Sequence, residues 1–264
     1  MKVVLFCGGQ GLRIRDEAHG VPKPMVTVGY RPILWHVMRT YAHYGHKDFI
    51  LCLGYRGDVI KRYFLEYNEA VSNDFVLTGA GRQVSMLKTD IEDWRITFVD
   101  TGLNANIGQR LKAVEKHLSG EHMFLANYTD GLTDLRLPEM IDRFKHSDAV
   151  GSFLAVRPSA SFHVVQHEQS GRVQSIGHVG DSGLRINGGY FVFRRTIFEY
   201  LQPGDDLVEA PFHRLIAEGK LLAYPYDGFW ACMDTFKERQ LLEDLYSSGT
   251  APWMVWNGKE TGSR

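Results

Sequence analysis

The first 25 residues combine an apolar run, a glycine-rich turn and two cationic side chains in a fixed order. Val3–Phe6 is short, entirely apolar and typical of a buried strand. The turn Gly8–Gly11 follows, and glycines allow the backbone to approach a polyanion closely, with its N–H groups lining a concave site. Arg13 and Lys23 then supply a planar guanidinium and a mobile ammonium for phosphate oxygens. This order predicts a cradle for a triphosphate.

Two better-known phosphate-binding motifs do not fit this stretch. A P-loop requires G-x-x-x-x-G-K-[ST], and no Gly-Lys-Ser/Thr follows here. The dinucleotide fingerprint G-x-G-x-x-G fits at Gly9-Gln10-Gly11 but has Ile14 where the last glycine belongs. The glycine turn alone could equally join a strand to a helix without a ligand. Arg13 and the segment Pro22–Met25 favour the ligand-binding interpretation.

The composition is that of a soluble protein with a sizeable core. The chain has 264 residues and a formal net charge of -1, which provides no basic surface for nucleic acid. Three scattered cysteines are too few for a disulfide framework or a zinc site. No apolar run approaches the length of a membrane span, and the N-terminus lacks a signal-peptide pattern. We expect a cytoplasmic protein with neither nucleic-acid nor membrane partners.

The first half of the chain predicts alternating helices and strands, and this alternation is typical of a parallel sheet covered by helices. In chain order we expect a helix over Pro32–Tyr44, a strand over Phe49–Leu53, a helix from Asp58 as N-cap to about Asn68, a strand over Trp94–Val99, a helix opened by Gly108–Leu111 and a strand over Met123–Ala126. The segment Phe75–Ile91 has no clear periodicity.

Two polar residues stand where ligands of such sheets collect. Asp130 follows the strand Met123–Ala126, and ligands bind at the carboxyl ends of strands. Arg110 lies near the start of a predicted helix, where N–H groups and the helix dipole favour an anion. Out of context, an Asp-Gly pair is an ordinary turn and a lone arginine is a solvated surface residue.

The second half predicts further helices and strands that build a second lobe. We expect helices over Leu137–His146, Thr196–Leu201, Ala210–Glu218 and from Asp234 as N-cap to about Tyr246, with strands over Val150–Val156, Arg172–Ile176, Tyr190–Phe193 and Leu221–Tyr224. Asn257–Arg264 is polar and is expected to be disordered.

The stretches GGQGLR and PKPM resemble the signature of the sugar-1-phosphate nucleotidylyltransferases, usually spelled G-G-x-G-T-R and P-K-P. Further stretches are similar to the glucose-1-phosphate cytidylyltransferase branch: Val99–Gly102, Gly108–Lys112, Ile186–Gly189, Gly228–Trp230, Met233–Thr235 and Ala251–Trp253. These stretches run from one end of the chain to the other.

The resemblance implies a fold, substrates and a cofactor. The fold would be a Rossmann-like, mostly parallel α/β sheet covered by helices, with a smaller sugar-binding lobe. Within one nucleotidyltransferase domain, 1–131 would form the nucleotide-binding core, 132–246 the sugar-phosphate lobe with the last helix, and 247–264 a tail. The substrates would be a nucleoside triphosphate, CTP in this branch, and a sugar phosphate. Mg²⁺ would be the cofactor, and the protein a homo-oligomer with subunit contacts in Phe75–Ile91.

The resemblance also assigns roles to individual residues. Arg13 and Lys23 would be catalytic, and Asp130 and Asp234 would hold the metal. Contacts to the nucleotide would come from Gly8, Gly9, Gly11, Leu12, Arg13, Lys23, Thr101, Arg110, Tyr128 and Asp130. Contacts to the sugar phosphate would come from Arg185, Asn187 and Gly188. If Asp234 also caps the last helix, fewer of its oxygens remain for a metal.

The chain departs from the family pattern mainly on the sugar side. The usual Glu-Lys-Pro before INGG is replaced by Ser175–Gly180, and Arg185 is our candidate for the missing positive charge. Leu12 replaces a threonine, Phe162-His163 replaces Phe-Gly, and Thr129 replaces the first glycine of Y-G-D-G. These changes leave two interpretations open, an acceptor other than glucose 1-phosphate or the same acceptor with a drifted sequence.

Two other functions compete with this one. The first is a nucleotide-binding protein without turnover, against which the joint presence of Arg13, Lys23, Asp130 and Asp234 argues. The second is a glycosyltransferase, which typically holds its metal through a D-x-D pair that is missing beside Asp130. Nucleotidyl transfer is also compatible with the lack of a Ser/His/Asp arrangement, because a phosphate oxygen is already anionic and needs no strong general base.

Overall fold

The computed structural model describes residues 1–9, 20–159 and 162–258. The predicted site residues Gly11, Leu12 and Arg13 lie outside these ranges, and their roles stay predictions.

The described residues form fifteen strands and six α-helices. The strands are β1 (Val3–Phe6), β2 (Thr27–Val28), β3 (Arg31–Pro32), β4 (Asp48–Leu53), β5 (Phe75–Thr78), β6 (Gln83–Met86), β7 (Arg95–Asp100), β8 (Met123–Asn127), β9 (Gly131–Thr133), β10 (Gly151–Val156), β11 (His163–His167), β12 (Val173–His178), β13 (Ile186–Arg194), β14 (Leu221–Tyr226) and β15 (Trp230–Cys232). The helices are α1 (Ile33–His43), α2 (Gly57–Leu65), α3 (Ile107–Ala113), α4 (Leu137–Lys145), α5 (Ala210–Ala217) and α6 (Phe236–Ser247).

One seven-stranded sheet runs through the molecule in the order β14-β10-β13-β8-β1-β4-β7. β1 lies between β4 and β8 and is parallel to both, β4 is parallel to β7, and β10 is parallel to β14. Within this sheet β13 breaks the pattern, because it is antiparallel to both β8 and β10. The mostly parallel α/β sheet predicted from the sequence is therefore confirmed.

Strands from both halves of the chain share this sheet. β10, β13 and β14 all come after residue 131, yet they extend the same sheet, whereas the hairpin β11–β12 pairs separately. The division into a nucleotide-binding core and a sugar-phosphate lobe thus stays a prediction about function, and the backbone is continuous across it.

The core lies on both faces of the sheet. Val3 and Leu5 belong to the cluster covered by α1, α4 and α6, whereas Val4 and Phe6 belong to the cluster covered by α3 and α5. All four residues of β1 are buried for this reason. A strand covered on both faces has a continuous apolar sequence rather than an alternating one, which is how Val3–Phe6 could be identified.

The start of α2 differs from the prediction. Arg56, not Asp58, is the N-cap residue and has a left-handed backbone with φ of 51°. Asp58 lies in the first turn instead, where it pairs with Arg56 and its carboxylate complements the helix dipole. The helix also ends at Leu65, because Asn68 caps the next short turn by accepting a hydrogen bond from Ala70 N at 2.9 Å.

Several short strands were not predicted. β2 and β3 have two residues each and β9 and β15 three each, which is too short for a period to be detected. The hairpin β5–β6 lies in the aperiodic segment Phe75–Ile91, and its strands are exposed along nearly their whole length. Thr196–Leu201, predicted as helical, overlaps a 3-10 turn over Arg195–Glu199 and forms no α-helix.

A buried polar network holds the excursion that carries β5 and β6. The guanidinium of Arg31 donates to Ser72 Oγ and Asn68 O, and it contacts Asp90 Oδ2 at 3.4 Å. Asp90 in turn accepts hydrogen bonds from Ser72 Oγ at 2.7 Å and from Tyr67 OH at 2.9 Å. The hairpin is therefore anchored by hydrogen bonds to an arginine beside α1 rather than by an apolar face.

The segment after α6 folds back onto α1. Trp253 is fully buried and donates through Nε1 to His36 Nδ1 at 3.3 Å, while His36 Nε2 contacts Val28 O at 2.9 Å. Burial lowers the pKa of His36 to about 4, so the ring is neutral near pH 7. Asn257 lies in the last 3-10 turn, and most of the tail predicted to be disordered falls outside the described residues. In the described ranges no helix has the length and apolar character that crossing a membrane requires.

Candidate active site

The loops at the carboxyl ends of β1, β4, β7 and β8 meet at one edge of the sheet. Gly8 follows β1, Thr101 follows β7 and Asp130 follows β8. This convergence results from the parallel pairing of the four strands, which places their carboxyl ends side by side.

Lys23 lies between two aspartates from distant parts of the chain. Its Nζ donates to Asp130 Oδ2 at 2.7 Å and also to Asp234 Oδ1. The side chain of Lys23 is 15% exposed, whereas those of Asp130 and Asp234 are 31% and 37% exposed. The structure thus brings together three of the predicted site residues in one ion cluster, with the carboxylates more open than the ammonium.

Burial and the neighbouring opposite charges shift the pKa values of Lys23 and Asp130 in opposite directions. Burial disfavours the ammonium of Lys23, but the two carboxylates outweigh it and raise the pKa of Lys23 above its ordinary value. Burial raises the pKa of Asp130, and the nearby Asp234 adds to that rise, although the ammonium opposes it. Lys23 is therefore firmly cationic at neutral pH and supplies the charge that lets both carboxylates approach one another.

Asp130 is held by an unusual loop residue. Thr129 has a left-handed backbone with φ of 67°, which is rare for a β-branched residue. Its N–H donates to Asn127 Oδ1 at 2.7 Å and its Oγ1 donates to Phe6 O at 3.1 Å. The family glycine at this position needs no such support. Two hydrogen bonds stabilise the left-handed backbone of Thr129 here. The replacement of glycine by threonine is visible in the sequence, but its conformational consequence is not.

Asp234 is placed by pairing with β9 and not by a helix cap. β15 pairs antiparallel with β9, and Met233 N donates to Asp130 O at 2.8 Å, so the two aspartates lie on adjacent, hydrogen-bonded segments. The prediction that Asp234 caps the last helix is wrong, because Thr235 is the N-cap and forms a capping box with Glu238. The anticipated competition between cap and metal therefore does not arise.

Arg110 binds the strand-end loops to one another. Its side chain belongs to α3, the residue is 2% exposed, and burial lowers the pKa of the guanidinium. The hydrogen bonds of this group within the described ranges go to Gly8 O (2.9 Å), Leu53 O (3.1 Å), Thr101 Oγ1 (2.7 Å), Gly102 O (3.0 Å) and Leu103 O (3.4 Å). The guanidinium thus sets the spacing of the glycine loop and the Thr101 loop.

Tyr128, Asn187 and Gly188 form a second group beside the loop of Asp130. Asn187 Nδ2 donates to Tyr128 OH at 3.3 Å, and its Oδ1 accepts from Gly189 N at 2.9 Å. Trp230 Nε1 donates to Gly188 O at 2.9 Å. Trp230 was not predicted individually, although its family stretch Gly228–Trp230 was the available signal.

Arg185 is engaged with protein groups. Its guanidinium donates to Ala155 O at 3.1 Å, to Tyr226 O at 2.9 Å and to Asp227 Oδ1 at 2.9 Å. Arg157 Nε also pairs with Asp227, at 2.8 Å. In the described part of the chain no hydrogen bond links Arg185 to the cluster of Lys23, Asp130 and Asp234, so its role toward a sugar phosphate stays a prediction.

The donor set of the cluster suits magnesium. Mg²⁺ prefers hard oxygen ligands, few of them from carboxylates and the rest from water and phosphate. Asp130 and Asp234 converge on one atom, Lys23 Nζ, and so are close enough to share a cation. Among the described residues no group of three or more His, Cys, Asp or Glu forms an alternative site.

Gly8 and Gly9 provide a matched pair for testing the Arg110 arrangement. A Cβ at Gly8 would lie 2.1 Å from Arg110 Nη1, whereas a Cβ at Gly9 would meet no atom of the described residues within 4 Å. Gly8→Ala should therefore lower the free energy of unfolding by about 2 kcal/mol through overpacking. Gly9→Ala should stay near the wild type in the same urea titration without ligand. Equal stability of the two variants would contradict the close approach of Gly8 to Arg110.

Comparison with known proteins finds relatives over nearly the full length of the chain. Residues 2–238 match the protein family described as "Nucleotidyl transferase". The chain is 38% identical over 259 residues to a glucose-1-phosphate cytidylyltransferase of Salmonella typhi, covering 97% of this chain and 100% of that protein. It is 34% identical over 258 residues to a probable glucose-1-phosphate cytidylyltransferase of Bacillus subtilis (strain 168), with the same coverage of both chains.

The fold is also found among solved structures. A UDP-glucose pyrophosphorylase from Acinetobacter baumanii superposes with a TM-score of 0.68 at 18% identity, covering 97% of this chain and 96% of that one. At this identity the likeness concerns the fold alone. The full-length identity to the two cytidylyltransferases and the family match over most of the chain lead to one conclusion: this protein belongs to the nucleotidyl transferase family.

Proposed function

We propose that this protein transfers a cytidylyl group from CTP to glucose 1-phosphate and releases pyrophosphate. A phosphate oxygen of glucose 1-phosphate attacks the α-phosphorus of CTP, and the bond from that phosphorus to the bridging oxygen of the β-phosphate breaks. CDP-glucose and pyrophosphate are the products. The observation that carries the proposal is the convergence of Lys23, Asp130 and Asp234 beside the Gly8 loop, in a chain 38% identical to a glucose-1-phosphate cytidylyltransferase.

The proposed roles follow from charge and position. Asp130 and Asp234 would hold Mg²⁺, which would neutralise charge on the triphosphate when bound. Lys23 is firmly cationic and contacts the phosphates of the bound substrates, and we assign the same role to Arg13. Neither residue needs to remove a proton, because the attacking phosphate oxygen is already anionic. Catalysis then rests on positioning and on neutralising the charge that develops on the leaving pyrophosphate.

The nucleotide contacts are proposed for the strand-end loops. The glycines Gly8, Gly9 and Gly11 with Leu12 follow β1, and Thr101 and Tyr128 follow β7 and β8. Arg110 supports this site from behind, because its donors bind the loop oxygens of Gly8 and Thr101. It would therefore contribute to nucleotide affinity by holding the loops, in addition to any direct contact.

The changed residues on the sugar-phosphate side allow an alternative acceptor to be considered. Asn187, Gly188 and Arg185 are the proposed contacts, and the usual Glu-Lys-Pro is replaced by Ser175–Gly180. The guanidinium of Arg185 pairs with Asp227, so a phosphate contact would compete with this ion pair. A different sugar or polyol phosphate is therefore the alternative acceptor, and a nucleotide-binding homologue without turnover is the alternative function.

Assembly and location complete the proposal. We propose a homo-oligomer acting in the cytoplasm, for which the exposed apolar residues Phe75, Leu77 and Val84 on the hairpin β5–β6 provide a contact surface. A monomeric mass by light scattering would contradict the oligomer.

Pyrophosphate release tests the reaction directly. With Mg²⁺, we expect turnover with CTP and glucose 1-phosphate, and slower turnover with UTP, dTTP, ATP or GTP. Asp130→Asn and Asp234→Asn should each lower kcat by about 100-fold or more, because the proposed metal ligands lose their charge. The control Asp148→Asn removes an exposed carboxylate that is paired with Lys220 and should keep wild-type kcat. CTP binding without turnover on any sugar or polyol phosphate would favour the non-catalytic alternative.

Substitution of Arg185 or Arg157 can distinguish a substrate contact from an ion pair that is only structural. Both pair with Asp227, so Arg185→Gln and Arg157→Gln remove comparable salt bridges. If Arg185 supplies the missing charge, its variant should raise KM for glucose 1-phosphate about tenfold, the value of one charge-assisted hydrogen bond, and leave KM for CTP unchanged. The Arg157 variant should keep both constants. An unchanged KM in the Arg185 variant would remove it from the site.

A further inference from the structure

We infer that Lys23 is a placeholder for the divalent cation: its ammonium occupies the position between Asp130 and Asp234 until a nucleotide binds. The cation can then take that position, because the nucleotide supplies new partners for this lysine. The inference rests on the proposed function, because it takes Asp130 and Asp234 as the metal ligands. It adds an order to binding: a metal without nucleotide must displace an ammonium that is already paired with both carboxylates.

The first support is the position of the ammonium. Lys23 Nζ contacts Asp130 Oδ2 at 2.7 Å and Asp234 Oδ1 at once, which is the position between two carboxylates that a shared cation would take. The side chain of Lys23 is less exposed than either carboxylate, so it lies beneath them rather than above them. A cation entering from solvent therefore meets two carboxylates that are already paired.

The second support is that contacts other than Lys23 hold the main chain of both aspartates. Asp130 O accepts a hydrogen bond from Met233 N at 2.8 Å, and Asp234 N donates to Glu238 Oε2 at 2.8 Å. Cys232 pairs with Gly131 across β15 and β9. These backbone contacts do not involve Lys23, so the spacing of the carboxylates should persist when the lysine leaves or is replaced.

The third support is that the backbone of Lys23 is held while its side chain consists of rotatable bonds. Pro22 and Pro24 flank Lys23, Val26 N donates to Lys23 O at 3.1 Å, and Pro24 and Met25 are buried. The Cα of Lys23 is thereby held, while its stem has rotatable bonds and ends in three donors. Displacement of the ammonium requires a rotation of this stem and no movement of the fold.

The charges decide which ligand can cause that displacement. Two carboxylates and one ammonium carry a net charge of about minus one, and a divalent cation beside the ammonium would be repelled by it. An ammonium pushed out alone would lose both of its partners inside a half-buried site. A triphosphate removes this obstacle, because its oxygens accept the hydrogen bonds that the carboxylates give up. Metal and nucleotide binding should therefore be positively coupled through Lys23, and the coupling is reciprocal.

The test is binding of Mn²⁺ alone, followed by the paramagnetic resonance signal of the free ion. Lys23→Gln should bind Mn²⁺ at least about tenfold more tightly than the wild type, because it removes the competing charge. Lys23→Arg keeps the charge and should stay weak. The matched control Lys220→Gln removes a lysine from the remote carboxylate of Asp148 and should behave as the wild type. Unchanged or weaker Mn²⁺ binding by Lys23→Gln would overturn the inference.

Two further measurements test whether the gain in Mn²⁺ affinity depends on Asp234 and whether the wild type behaves as expected. The double variant Lys23→Gln/Asp234→Asn should lose the gain, and retention of the gain would overturn the inference. In the wild type, Mn²⁺ alone should leave Tm nearly unchanged, whereas Mn²⁺ with CTP should raise it at equal free Mn²⁺. An equal rise without CTP would also overturn the inference. This last measurement needs no substitution, so it decides the question even if Lys23→Gln fails to fold.

The outcome is separable from that of the proposed reaction. Turnover with CTP together with unchanged Mn²⁺ binding in Lys23→Gln would leave the reaction standing and remove the placeholder. A gain in Mn²⁺ affinity without turnover on any acceptor would leave the placeholder standing and remove the reaction.

Discussion

The parallel pairing of β1 with β4 and β8 is the constraint on which the site depends. Because the strands run in the same direction, their carboxyl ends lie at one edge, and the loops of Gly8, Thr101 and Asp130 meet there. Burial of β1 on both faces fixes its register. Arg110 then joins these loops through their own oxygens, so the cradle is part of the core rather than an addition to the surface.

The charge cluster at this edge is the other requirement. Two aspartates that approach each other repel unless a cation lies between them, and in this structure the cation is Lys23. The same requirement connects folding with function. The lysine that pairs with both aspartates also has the charge that the proposed phosphate contact requires.

Departures from the family pattern concern loops more than the sheet. Thr129 keeps a backbone conformation that glycine adopts without strain, and it does so with hydrogen bonds to Asn127 and Phe6. On the sugar side, Arg185 is tied to Asp227 and to two carbonyl oxygens. The loop of Asp130 thus has hydrogen bonds that support its left-handed residue, whereas Arg185 on the proposed acceptor side is bound to protein groups.

The sequence by itself determined the fold class and the residues of the cluster. The continuous apolar run of β1, the helical period of α1 and the order of glycines, cations and aspartates are local features, and each was interpretable without coordinates. Tertiary structure alone decided the partners. The pairing of β15 with β9 and the seating of Lys23 between Asp130 and Asp234 join segments that are distant in the chain. Local propensity carries no information about such contacts, because their free energy appears only when the sheet has brought the distant segments together.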